Sequence, residues 1–167
     1  LVFSGDLGRT RLPILRDPQT ADSADILILE STYGDRLHAP YEDENHRFQQ
    51  IIRETYKRGG SVVIPAFAVG RTQQIVYALN QLTNAGDLPR MPVFVDSPLA
   101  IDATAIFRLH PECYDTETRD FMFNSNGKRD PFGFEMLSYT RSTEESKKLN
   151  FIREPIIVIS ASGMAET

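Results

Sequence analysis

Short apolar runs constrain this chain more than any other feature: Ile26-Leu27-Ile28-Leu29, Val62-Val63-Ile64, Val93-Phe94-Val95 and Ile156-Ile157-Val158-Ile159. Runs that show no polar face suit strands covered on both sides of a sheet. Helical patterns fall between them. Phe48, Ile51, Ile52, Thr55 and Tyr56 recur at helical spacing within Glu42 to Arg58, and Gly59-Gly60 ends that helix. A second helix opens near Arg71, with Ile75, Val76, Leu79 and Leu82 on one face, and a third spans Leu99 to Leu109. Ser142-Thr143-Glu144-Glu145 matches a capping box, Ser at the N-cap and Glu three residues on, for a helix running to about Asn150. Strand and helix in alternation predict an α/β fold with one parallel sheet holding the last three runs. Pro111 to Tyr139 falls outside that alternation. Its turn-rich centre is flanked by Phe121, Phe123, Phe132 and Phe134, so it is expected to be an ordered excursion.

Composition narrows the classes. The 167 residues, 41% hydrophobic and 25% charged, suit a globular chain with a core. No apolar run approaches the roughly 20 residues that cross a bilayer, so no membrane partner is expected. A single cysteine, Cys113, excludes an intrachain disulfide and a Cys-based metal cluster, and suits a reducing cytoplasmic location. The net charge of −5 argues against bulk electrostatic binding of nucleic acid, but not against a local site built from amides and a few arginines. Leu1-Val2-Phe3 reads as a strand entered in mid-sequence, and Ser162 to Thr167 stops where a helix should begin. The chain is expected to be a piece of a longer protein.

In open parallel sheets, ligands bind beyond the carboxyl ends of the strands. Five polar segments stand at such ends: Ser4-Gly5-Asp6, Glu30 to Asp35, Pro65 to Arg71, Asp96-Ser97-Pro98 and Ser160 to Gly163. Each has a plain reading beside a chemical one. Asp6 is either a turn carboxylate or a hard ligand able to bridge two divalent cations. Glu30 is either a cap or an acid that orients a histidine or passes a proton. Gly70-Arg71-Thr72-Gln73 is either a simple cap or an anion site of amides and a guanidinium. Ser160-Ala161-Ser162-Gly163 repeats the theme without the lysine of a phosphate-binding loop. His46 and His110 are expected on a helix surface and at a helix end. His38, close to the Glu30 loop, is a candidate for the rim of a site.

Taken together, these segments resemble one family. Phe3-Ser4-Gly5-Asp6-Leu7-Gly8-Arg9 looks like the fourth metallo-β-lactamase motif. Glu30-Ser31-Thr32-Tyr33-Gly34-Asp35-Arg36 looks like motif A of the β-CASP nucleases. Pro65 to Gln73, Asp96 to Ala100 and Ser160 to Met164 look like strand exits of the β-CASP domain. The resemblance is nearer to the pre-mRNA 3′-end cleavage endonuclease and its bacterial and archaeal relatives than to other branches.

The resemblance implies that residues 1–37 belong to a metallo-β-lactamase αββα core and 38–167 to a Rossmann-like β-CASP domain. It implies a zinc-dependent ribonuclease acting in RNA processing or decay. Asp6 would be a catalytic metal ligand to two Zn2+ ions. Glu30 would be a catalytic acid holding a histidine. Arg71, Thr72, Ser97, Ser160, Ser162 and Gly163 would bind single-stranded RNA, with Tyr33 and His38 at the rim. The family's His-x-His-x-Asp-His motif and its later histidines are absent from this sequence. One carboxylate cannot hold a zinc pair, so this piece alone is expected to bind zinc weakly or not at all and to be inactive. An inactive RNA-binding scaffold of the same family, and a domain for a phosphorylated small molecule, are the rival readings. A second copy of the chain is a further candidate partner.

Overall fold

The computed structural model describes residues 1–37, 41–123 and 129–161. The main body is a four-stranded sheet of β3 (Val62–Pro65), β4 (Val93–Asp96), β5 (Leu137–Thr140) and β6 (Ile157–Ser160), in the order β3-β6-β4-β5. Every neighbouring pair is parallel, so the three expected runs do share one parallel sheet. The register sets Pro65 beside Ser160, Ser160 beside Asp96, and Asp96 beside Thr140. The four carboxyl ends therefore form one row.

Helices α1 (Tyr41–Lys57), α2 (Arg71–Asn84), α3 (Pro98–Leu109), α4 (Thr116–Phe123) and α5 (Thr143–Leu149) connect the strands. Gly59 ends α1 as expected. Its φ of 70° is the left-handed cap conformation, its N–H returns to the Tyr56 carbonyl at 2.8 Å, and that of Gly60 returns to Thr55 at 3.0 Å. Ser142 caps α5 by accepting the Glu145 N–H at 3.2 Å. The core gathers Ile52, Val76, Leu79, Val95, Phe132, Ile157 and Ile159. Burial at this scale, about 25 cal/mol per Å² of apolar surface, is what favours the sheet's assembly.

Two expectations are corrected. Pro111 to Tyr139 is not an excursion from the α/β pattern: it holds a short 3-10 turn at Pro111–Cys113, α4 and the edge strand β5. The edge strand's sequence, Leu137-Ser138-Tyr139-Thr140, alternates apolar and polar residues over only four positions, a weak signal compared with a continuous apolar run. Phe132 from this region is wholly buried. The run Ile26–Leu29, expected to be covered on both faces, is half exposed along its length, from 48% to 60%. Among the described residues its strand β2 (Leu27–Ile28) pairs only with β1 (Val2–Phe3), in parallel.

The first 37 residues are nonetheless tied to the main body. Leu15 forms an isolated antiparallel bridge with Tyr114. Asp115 donates its N–H to the Ile14 carbonyl at 2.8 Å, and Arg16 donates to Cys113 at 3.1 Å. Ile14 itself, 1% exposed, belongs to the main core.

Candidate functional site

Two polar corners emerge. The first lies beyond β1 and β2. The parallel pairing brings the two following loops side by side, and two hydrogen bonds between Glu30 and the Ser4–Leu7 loop lock them. Ser4 donates its hydroxyl to the Gly5 carbonyl at 2.7 Å and accepts the Glu30 N–H at 3.1 Å. Glu30 Oε1 accepts the Leu7 N–H at 2.6 Å. Glu30 is thereby fixed against the loop that carries Asp6, whose side chain stays exposed. Gly5 at φ 56° makes the turn between them, in the left-handed region that suits glycine. Tyr33 is more than half exposed at φ 56°, with the Arg36 guanidinium 4.5 Å from its ring centre. His38 lies outside the described residues.

The second corner is the carboxyl edge of the main sheet. After β3 the chain alternates in and out: Ala66 and Ala68 are buried, Phe67 and Val69 each 62% exposed. Gly70 at φ 83° turns the chain into α2. Arg71 opens that helix with an exposed side chain that takes part in no hydrogen bond or ion pair among the described residues. It borders a hollow of about 140 Å³ shared with Glu44, Phe48 and Gln74. Thr72 donates its hydroxyl to the Phe67 carbonyl at 2.8 Å, and Ser97 caps α3 by accepting the Ala100 N–H at 3.1 Å. Both residues are buried, so what they give this edge is loop geometry. Ser160 ends β6 half-buried between Pro65 and Asp96, and Ser162 and Gly163 lie outside the described residues.

Two motif residues to which the sequence reading gave no role of their own organise this edge. Asp96 accepts the Thr140 hydroxyl at 2.5 Å and the Ser146 hydroxyl at 2.8 Å, joining β4 to β5 and α5. Gln73 is wholly buried and bonded both to the exit loop of β3 and to α3, the helix that follows β4. Its signal was present: Gln73 shares a helical face with Val76, Tyr77 and Asn80, a polar residue where the pattern expects an apolar one.

A further hollow of about 650 Å³ lies elsewhere, between the 11–17 segment and the start of α4. Its lining mixes Arg11 and Arg16 with Asp17, Asp115 and Glu117, and no single chemistry converges on it. A metal pair does not fit the described residues: no group of three or more His, Cys, Asp or Glu among them could hold an ion. Asp6 stands as a lone candidate ligand.

An open parallel sheet whose polar loops gather at one carboxyl edge defines a ligand-binding α/β domain. The Beta-Casp domain model matches residues 72–167, and the chain belongs to the β-CASP family, with the α/β fold expected of it. It is 37% identical over 164 residues to Ribonuclease TTHA0252 of Thermus thermophilus, covering 98% of this chain and 37% of that protein. It is 31% identical over 168 residues to Transcription termination factor FttA of Methanosarcina mazei, covering 98% and 26%. It is 32% identical over 165 residues to Cleavage and polyadenylation specificity factor subunit 3-I of Arabidopsis thaliana, covering 98% and 23%. The chain thus spans well under half the length of each of these relatives.

Proposed function

We propose that this chain is part of a ribonuclease that hydrolyses the phosphodiester bonds of single-stranded RNA, and that the carboxyl edge of its parallel sheet holds the RNA backbone. Relatives named as a ribonuclease, a transcription termination factor and a cleavage and polyadenylation factor support an RNA substrate. The observation that carries the contact is Arg71, an exposed guanidinium with no partner among the described residues, at the strand-to-helix turn of that edge. A guanidinium offers a planar fork to a phosphate and cannot be titrated away. Ser160, Ser162 and Gly163 supply further hydroxyls and amides to the same backbone, while Thr72 and Ser97 act through the loops they brace.

In this reading residues 1–37 are a piece of a metallo-β-lactamase core and 38–167 the β-CASP domain. Asp6 supplies one ligand to a zinc pair, Glu30 orients a neighbouring histidine, and Tyr33 and His38 rim the cleft. A zinc pair, when bound, supplies an activated hydroxide and stabilises charge on the scissile phosphate. The described residues hold one ligand of such a site, so the isolated chain is inactive. No helix among them is long and apolar enough to cross a membrane. The lone thiol of Cys113 accords with a cytoplasmic protein.

The test is Arg71→Ala in the complete protein, with binding to two unrelated oligoribonucleotides measured across a salt series. Removing a charge-assisted hydrogen bond should cost about 1.5–3 kcal/mol, roughly ten- to a hundredfold in affinity. The loss should be equal for both sequences, because phosphate contacts position without reading bases. Unchanged affinity for both would make Arg71 a structural cap, and loss for one alone would mean base recognition.

A further inference from the structure

The polar network under the carboxyl edge has a direction. Gln73 Oε1 accepts the Gly70 N–H at 2.7 Å, a donor that the start of α2 otherwise leaves without a helical partner. Gln73 Nε2 donates back to the Ala68 carbonyl at 3.1 Å and across to α3, to Thr104 Oγ1 at 2.9 Å and the Ala100 carbonyl at 3.4 Å. Thr104 donates to that same carbonyl at 2.7 Å, and Ser97 accepts the Ala100 N–H. One continuous chain of hydrogen bonds thus runs from the exit loop of β3 to the exit loop of β4. Gln73, Thr104 and Ser97 are 0%, 1% and 6% exposed.

Stability alone does not call for this arrangement. Apolar groups of the same shape in place of a buried hydrogen-bonded pair are close to neutral in free energy. What the amide adds is geometry. It sets the height and rotation of residues 68–70 against the first turns of α3, and Arg71 is the next residue along. Sites held within about 0.5 Å work, and those left loose by about 1 Å do not.

We propose that Gln73 is a positioning residue for RNA binding: it ties the exits of β3 and β4 into one rigid ledge and thereby fixes where Arg71 presents its guanidinium to the RNA backbone. This rests on the phosphate-binding role proposed for Arg71, and the experiment separates the two. In the complete protein, Gln73→Leu, Thr104→Val, Arg71→Ala and the double variant Gln73→Leu/Arg71→Ala are compared for binding to one single-stranded oligoribonucleotide over a salt series. Removing one phosphate contact from a single strand flattens the slope of log affinity against log salt by about 0.7. Gln73→Leu should flatten it by the same amount as Arg71→Ala, and the double variant should lose nothing beyond Arg71→Ala. A merely structural role would lower the folded fraction and leave the slope alone. A wild-type slope in Gln73→Leu beside a flattened one in Arg71→Ala overturns the positioning role, as do affinity decreases that simply add in the double variant. A wild-type slope and affinity in Arg71→Ala itself overturns the phosphate-binding role and this inference with it. Should Gln73→Leu fail to fold, Thr104→Val, which removes the shorter of the two bonds from Gln73 to α3, decides on the same readout.

Discussion

Glu30 accepts the backbone N–H of Leu7 at 2.6 Å, so a carboxylate leaving one strand clamps the loop that leaves its parallel neighbour. The two residues are 23 positions apart, and the contact fixes the Asp6 loop relative to Glu30.

This clamp separates two jobs of one side chain. Glu30→Gln keeps an oxygen that can accept the Leu7 N–H, whereas Glu30→Ala removes it. If Glu30 also orients a histidine, its negative charge matters in itself. Cleavage of RNA by the complete protein is then expected to fall by roughly ten- to a hundredfold in Glu30→Gln, the usual effect of removing such an orienting carboxylate, with an unchanged thermal midpoint. Wild-type turnover in Glu30→Gln would leave the clamp as the whole of its role.

Asp6 makes a different prediction, because it is exposed and alone. The purified chain after dialysis should retain well under one zinc per molecule, and Asp6→Asn in the complete protein should abolish RNA cleavage while leaving oligonucleotide binding in place. A tightly held stoichiometric zinc pair in this chain would refute the first half, and full cleavage activity in the variant the second.

Much of this was legible in the residues, and the reasons differ by element. Val93–Val95 and Ile156–Ile159 announced buried parallel strands because both faces of each are apolar. The strand at Leu137–Thr140 escaped because it lies at the sheet's edge, where alternation over four residues is all there is to see. Asp6 and Glu30 stood out as carboxylates at strand exits, but their joining needed the Leu7 hydrogen bond, a long-range contact that no local pattern encodes. Ile14 stands in a brief apolar cluster, Leu12-Pro13-Ile14-Leu15, too short to show periodicity, so nothing nearby in sequence singles it out as core.

Ile14 carries the next prediction. It is buried and at φ 85°, a region that a β-branched residue enters at a cost of order 1–3 kcal/mol. Its own carbonyl accepts the Asp115 N–H, Arg16 bonds Cys113, and these contacts with its place in the core hold it there. Ile14→Ala should destabilise by about 2–5 kcal/mol through poorer packing. Ile14→Gly sacrifices the same packing but relieves the backbone. The usual order, in which glycine is worse than alanine by about 0.5–1 kcal/mol, should therefore vanish or reverse in urea unfolding. The ordinary order would show that the positive φ stores no strain.

Tyr114 sets the alkaline limit. Its ring is 1% exposed and meets Phe132 edge-on at 6.2 Å, and its hydroxyl donates to the Phe107 carbonyl at 2.6 Å. Burial pushes the phenol up from its ordinary value of 10 to about 12, with the nearby Asp130 charge adding in the same direction and Arg108 opposing. A group whose folded pKa lies above its unfolded one contributes its full stability below the unfolded value, and loses it as pH rises to the folded one. The unfolded chain therefore ionises first, and stability should decline between pH about 10 and about 12. Tyr139, also raised by burial, adds to the decline. Tyr114→Phe removes one hydrogen bond and should cost about 1 kcal/mol at neutral pH. It also removes the titrating group, so urea unfolding of the two proteins from pH 8 to 12 should give curves that converge as the wild type loses its advantage. Parallel curves across that range would mean that Tyr114 ionises equally in both states, and its burial would then have no part in the alkaline limit.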